Sequence, residues 1–133
     1  MNLVDLATLF RALNLYSHHA HNMAKGNSFM QDHAFFAEVY AFADDCYDSL
    51  IERYLGTGGE NVKLPEIVQD SHELISKMPS EYYQGVLFVL DRITKHIDNM
   101  CNNGKFSSGT QNLLQGQADS IEVFIYKIKR RLK

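Results

Sequence analysis

The 133-residue chain contains no tryptophan, only two prolines and only two cysteines. Because proline interrupts helices, its scarcity favours long helical segments. Cys46 and Cys101 are too few for a disulfide framework and form no Cys-x-x-Cys pair, so we expect two reduced thiols in a cytoplasmic protein. The net charge of −3 excludes a wholly basic nucleic-acid surface but leaves room for a local basic patch.

Targeting and common catalytic motifs are also missing. No apolar run reaches the roughly 18 residues of a membrane span, and no basic stretch precedes an apolar one at the start of the chain. We therefore expect a soluble, unexported protein that does not contact membranes and forms one domain over residues 1–133. Glycine-rich phosphate loops, nucleophile elbows and zinc-type Cys/His spacings do not occur. The remaining candidates for chemistry are histidines and carboxylates.

Apolar residues recur at three- and four-residue steps in four long segments, which predicts four amphipathic helices. The segments run from Leu3 to about Ala24, from about Met30 to Leu55, from about Glu81 to Cys101, and from Ser107–Thr110 almost to the last residue. Between the second and third, Pro65 and nearby apolar positions predict one short helix, and Ser80 is the expected cap of the helix that follows. The fold class is therefore all-α, a four-helix bundle with a long crossover connection carrying a short helix.

Two histidines flank the turn between the first two helices. His21 and His33 each lie six positions from Asn27, so an antiparallel pair of helices brings them to about the same height. Asp48 and Glu52 are one helical turn apart, but Asp48 is 15 positions beyond His33, or roughly 22 Å along a straight helix. We therefore predict that two copies pair about a two-fold axis, the histidines of one completing a site with the carboxylates of the other.

Two imidazoles and two carboxylates suit a divalent metal such as Fe(II), with Zn(II) and Mn(II) as substitutes. In this set, His21 and His33 would orient the ion as neutral ligands. Asp48 and Glu52 of the partner copy would neutralise its charge and favour the ferric product. The four residues are thus the predicted catalytic and metal-binding residues.

At these positions the chain resembles the Dps family, the ferritin-like mini-ferritins that protect DNA during starvation. The resemblance rests on about forty residues in register, namely His21, Gly26, Phe29, His33, Asp48 and Glu52-Arg53, closing on Gly58-Gly59. It implies a ferritin-like four-helix subunit with a ferroxidase site at the dimer interface. It also implies oxidation of Fe(II) by hydrogen peroxide or oxygen, and a hollow dodecamer that stores the ferric mineral.

Two positions depart from the family pattern. Asn22 stands where the family usually has tryptophan, and Ala37 stands where it has an acidic residue. Glu38 is adjacent and is retained as a further metal ligand, since its long side chain can bend round the helix. These departures favour one alternative, an assembly protein of the same fold with reduced or lost iron oxidation.

A second alternative is DNA binding through the basic C-terminal run. It comprises Lys127, Lys129, Arg130, Arg131 and Lys133. The ordinary explanation of such a run at the end of a helix is that cations are stabilised beside the negative end of the helix dipole. The other four histidines are not predicted to be ligands. We expect His18 and His19 to face solvent or to lie beside the site without binding the metal, and His72 and His96 belong to no recognisable ligand spacing.

Overall fold

The computed structural model describes residues 2–133; Met1, the first residue of the predicted domain, lies outside them. Five α-helices make up this part of the chain, which contains no β-strand. They are α1 (Leu3–Met23), α2 (Phe29–Gly56), α3 (Leu64–Ser76), α4 (Tyr82–Asn102) and α5 (Ser108–Arg131). The all-α prediction is confirmed, including the short helix between the second and third long ones.

Local sequence signals account for most helix ends. Asn2 caps α1 through a capping box with Asp5, and the Ser107 hydroxyl accepts from the Thr110 N–H at the start of α5. Pro65 lies in the first turn of α3, as predicted. The expected cap at Ser80 is wrong, because α4 begins one residue later and the Glu81 carboxylate accepts from the Gln84 N–H at 2.7 Å.

The long helices form a bundle in which neighbouring helices run antiparallel. Helix α1 packs against α2 and α4, and α5 packs against α4 and α2. Arg11 of α1 contacts Asp44 of α2 and the later His18 contacts the earlier Tyr40, so these two helices run in opposite directions. Asp32 near the start of α2 contacts Arg131 at the end of α5. One cluster of buried residues draws on all five helices, with Phe10, Leu50 and Ile93 among its fully buried side chains.

The segment between α2 and α4 passes along the bundle on the α1 side. It leaves α2 through Gly58, whose φ of 97° favours glycine, and contains α3, which packs against α1. Ile67 and Leu74 are the apolar side chains that α3 buries. None of the helices within residues 2–133 combines the length and apolarity of a membrane span.

Candidate functional site

The turn between α1 and α2 sets the height of the two predicted histidines. Residues 24–28 reverse the chain, with Gly26 at a φ of 84°, a backbone conformation that other residues rarely adopt. His21 lies in the last turn of α1 and His33 in the second turn of α2. The predicted approach of the two side chains is confirmed, since their ring centroids are 3.6 Å apart and nearly parallel.

Each of these imidazoles is held by the backbone of the other residue. His21 Nδ1 lies 2.7 Å from the His33 carbonyl oxygen, and His33 Nδ1 lies 3.1 Å from the His21 carbonyl oxygen. Because a carbonyl oxygen can only accept, both Nδ1 atoms carry the proton. In the neutral rings both Nε2 atoms therefore keep a lone pair. This is how protein structures fix the tautomer and orientation of histidines that ligate a metal.

Aromatic side chains support the pair on both sides. The Tyr40 ring meets His21 edge to face at 5.4 Å and stacks on His18 at 4.2 Å, while Phe29 stacks on His33 at 4.9 Å. The two rings are half-buried as a result, whereas His18 is exposed, as predicted. The pair is thus an ordered feature at the protein surface.

The predicted carboxylates lie at the other end of α2. Asp48 and Glu52 are both exposed, and within residues 2–133 neither forms an ion pair. Glu52 borders an open groove between the end of α2 and the start of α5. Its neighbour Arg53 turns away, because its guanidinium donates to the Thr110 hydroxyl at 3.2 Å. The two carboxylates therefore have free oxygen atoms.

Within one chain the histidines and these carboxylates stay apart. Helix α2 is continuous over Phe29–Gly56, so the rise of about 1.5 Å per residue keeps Asp48 roughly 22 Å from His33. The described part of the chain, residues 2–133, brings together no set of three or more potential metal ligands. One protomer thus contributes His21 and His33 as one group and Asp48 and Glu52 as another.

Two other acidic side chains of α2, Glu38 and Asp44, have cationic partners. Glu38 forms an ion pair with Lys127 of α5 at 3.8 Å. Asp44 pairs with Arg11 at 3.3 Å, and that guanidinium also stacks on the Tyr47 ring at 3.9 Å. Glu38 as a further metal ligand stays a prediction.

No protein-family model matches the chain, and the search of curated proteins finds no match either. Assignment of a function therefore depends on the sequence motif and on the geometry of the histidine pair.

A second polar cluster was missed by sequence reasoning. The Tyr83 hydroxyl donates to Asp32 Oδ1, and Arg131 approaches the same oxygen at 3.6 Å, which ties α4, α2 and α5 together. Burial, followed by the bond to the Asp32 carboxylate, raises the pKa of Tyr83 well above its usual value. The three residues are far apart in sequence and follow no motif, so only the packing of the helices reveals them.

The C-terminal cations divide between two faces of α5. Lys127 and Arg131, one turn apart, reach Glu38 and Asp32 of α2. The other three, Lys129, Arg130 and Lys133, are exposed and form no ion pair within residues 2–133. Tyr126, 64% exposed, lies one turn before Arg130. The basic run therefore includes a surface of free cations beside an exposed aromatic ring.

Proposed function

We propose that the protein is a cytoplasmic, Dps-like ferroxidase that binds Fe(II) at sites shared between two copies, oxidises it and stores or detoxifies the product. The observation that carries this proposal is the reciprocal bonding of His21 and His33, which leaves both Nε2 lone pairs for a metal. The sequence motif on these residues supports iron as the substrate, with zinc and manganese as competing ions.

The arrangement of the helices supports a ferritin-like subunit. Because α1 is antiparallel to both α2 and α4, the helices α2 and α4 run in the same direction, and the segment containing α3 serves as a crossover between them. A ferritin-like fold has one such long connection in its four-helix bundle. A two-fold dimer and a hollow dodecamer are the assemblies that we propose for it.

In the proposed dimer each copy contributes half of each site. An antiparallel pairing of two α2 helices would bring the histidine end of one beside the Asp48 and Glu52 of its partner, giving two identical sites. The imidazoles would orient Fe(II), and the carboxylates, which have no cationic partner within residues 2–133, would offset its charge. Hydrogen peroxide or oxygen would then accept the electrons.

A complementation experiment tests the sharing of the site. One chain carries His21→Ala and His33→Ala, and the other carries Asp48→Asn and Glu52→Gln. Neither chain alone is expected to oxidise Fe(II). In a co-refolded equal mixture about half of the dimers are mixed and each regains one of its two sites, so about a quarter of the wild-type sites should return. Anaerobic Fe(II) titration followed by peroxide measures them.

Two results would contradict the shared site. The first is full Fe(II) binding by a monodisperse monomer, and the second is loss of activity in both variants without any recovery on mixing, although native mass spectrometry detects mixed dimers. His72→Ala provides a matched control, because His72 is an exposed histidine on α3 outside the motif. It should leave the number of sites unchanged.

The absence of a carboxylate at position 37 favours a modified form of this proposal. In it, the protein keeps the ferritin-like fold and assembly, but its turnover in iron oxidation is reduced or lost. The adjacent Glu38 pairs with Lys127 at 3.8 Å, so a metal would have to compete with Lys127 for this carboxylate. Replacing Ala37 by aspartate places an acidic residue one turn after His33. A large rise in the rate of ferric ion formation in Ala37→Asp, with unchanged assembly, would show that the missing carboxylate limits iron oxidation in the natural protein.

A second candidate function is binding of DNA, favoured by the free cations Lys129, Arg130 and Lys133 beside Tyr126. Such binding should weaken steeply with salt, because each phosphate contact releases counterions. We expect the triple change of these cations to glutamine to abolish a low-salt gel shift. A shift that is absent in the wild type at low salt, or unchanged in the triple variant, contradicts this function.

A further inference from the structure

An open cavity of about 240 Å³ lies at the end of the bundle where α1 and α5 end and α2 and α4 begin. Its lining includes no residue of the metal motif. Its apolar and aromatic wall is formed by Ala20, Phe36, Tyr82 and Tyr83. Met23 and Ala24 also line it, together with two cations, Lys25 and Arg131, and two carboxylates, Asp32 and Glu81.

The carboxylates of this cavity are already engaged by the protein. Asp32 accepts from the Tyr83 hydroxyl and pairs with Arg131, and Glu81 accepts from the backbone N–H of Gln84 as the cap of α4. Both groups therefore have a structural role in holding helix ends. An incoming cation would have to compete with these contacts.

The cations have donors to spare. Lys25 forms no ion pair within residues 2–133. Arg131 approaches one oxygen of Asp32 at 3.6 Å and lies 5.1 Å over the Tyr83 ring, and a guanidinium carries five N–H donors. An anion in the cavity could therefore bond to Lys25 and Arg131 without displacing Asp32.

The geometry points to a binding site for a small aromatic carboxylic acid in this cavity, a function separate from iron oxidation. The ring of the ligand lies against Phe36, Tyr82 and Tyr83, and its carboxylate bonds to Arg131 and Lys25. A volume of about 240 Å³ is below the roughly 300–1,000 Å³ of sites for drug-sized ligands, which limits the ligand to a compact molecule. Pockets of this kind combine an apolar wall with a few convergent polar groups.

Benzoate is the probe that tests this site, with benzamide, benzylamine and acetate as comparisons. In calorimetric and saturation-transfer NMR titrations of the full chain, benzoate should bind saturably with a dissociation constant on the order of 1 mM. Neutral benzamide, cationic benzylamine and ringless acetate should each bind at least about tenfold more weakly, because each lacks the charge-assisted bonds or the ring contacts.

Variants then locate the site. Arg131→Gln and Lys25→Gln should each weaken benzoate about tenfold. Arg130→Gln is the matched control, since Arg130 is an exposed neighbour that does not line the cavity, and it should leave the affinity for benzoate unchanged. Ala24→Leu places a larger side chain in the lining and should abolish binding.

Several outcomes would overturn the inference. The first two are the absence of saturable benzoate binding and binding of benzamide or benzylamine that is as tight or tighter. The other two are an equal loss of benzoate affinity in Arg130→Gln and Arg131→Gln, and unchanged benzoate affinity in Ala24→Leu. Circular dichroism of each variant establishes that the helices are intact. The complementation experiment on iron is independent of all of them, so failure of one proposal leaves the other standing.

Discussion

The phenol of Tyr16 occupies the space that a side chain at position 85 would need. Its hydroxyl lies 3.2 and 3.3 Å from the carbonyl oxygens of Pro79 and Glu81, which share its one proton. A Cβ atom built on Gly85 would overlap the ring and its oxygen. Tyr16 thereby fixes the start of α4 against α1. Glycine at position 85 is required by this close approach.

Gly85→Ala is accordingly expected to lower the free energy of unfolding by about 1–3 kcal/mol, the usual cost of overpacking a tight core. Gly116→Ala is the matched control, because Gly116 lies in α5 with no atom near the added methyl group. It should raise stability by about 0.5–1 kcal/mol through higher helix propensity. Urea unfolding at one fixed protein concentration measures both, and a loss of equal size in the two variants would contradict the steric explanation.

Stability is expected to fall in alkaline solution. Burial, with smaller effects of Glu81 and Tyr82, raises the pKa of Tyr16 to about 12 from 10.0. The folded state therefore holds a proton that the unfolded state loses, so this contribution is complete below about pH 10 and is lost as the pH rises towards about 12. Tyr16→Phe removes the titrating group, and urea unfolding across this range should show a shallower decline than in the wild type. Identical slopes would refute the assignment.

The histidine pair should also stabilise the α1–α2 hairpin without metal. Each single change, His21→Ala or His33→Ala, removes one hydrogen bond and the ring stacking, and we expect a loss of about 1–2 kcal/mol in the presence of a chelator. The double variant should lose less than the sum, since the stacking is counted in both single changes. Strict additivity in this double-mutant cycle would mean that the rings do not interact in solution.

The two thiols should differ strongly in reactivity. Cys46 is 5% exposed, and burial, followed by Asp45, raises the pKa of its thiol to about 12 from 9.0. Its thiolate fraction at neutral pH is then about a thousandfold below that of an ordinary cysteine. Cys101 is partly exposed and should react first with N-ethylmaleimide, while Cys46 should react only on unfolding. Mass spectrometry with Cys46→Ser and Cys101→Ser assigns the sites, and labelling of native Cys46 at a similar rate would be inconsistent with the packed core.

Helical periodicity was sufficient to predict the elements of this fold. Apolar spacing places the long helices to within one or two residues of their observed bounds. The cap of α4 could not be chosen correctly, because Ser80 and Glu81 are both suitable acceptors and the backbone angles decide between them. The capping preferences of residue types do not predict those backbone angles.

The candidate site was predictable only in outline. Equal spacing from Asn27 indicates that His21 and His33 meet, but their reciprocal bonds depend on how closely α1 and α2 pack. The contacts of Glu38 with Lys127 and of Asp32 with Tyr83 depend on α5 and α4, whose positions are set by the whole core. The pairing of the histidines with Asp48 and Glu52 of a second copy stays a prediction.

The position of each cation around α5 determines whether it pairs with α2 or faces solvent. Lys127 and Arg131 are four residues apart and share the face towards α2, whereas Lys129 and Arg130 lie on other sides of the helix. A single residue inserted between Leu114 and Lys127 would rotate the following residues by about 100°. Arg130 would then take the position of Arg131, but Tyr126 would take that of Lys127, and Lys127 would take the buried position of Ile128. The ion pairs with α2 and the packing of α5 would change, with composition and net charge almost unaltered.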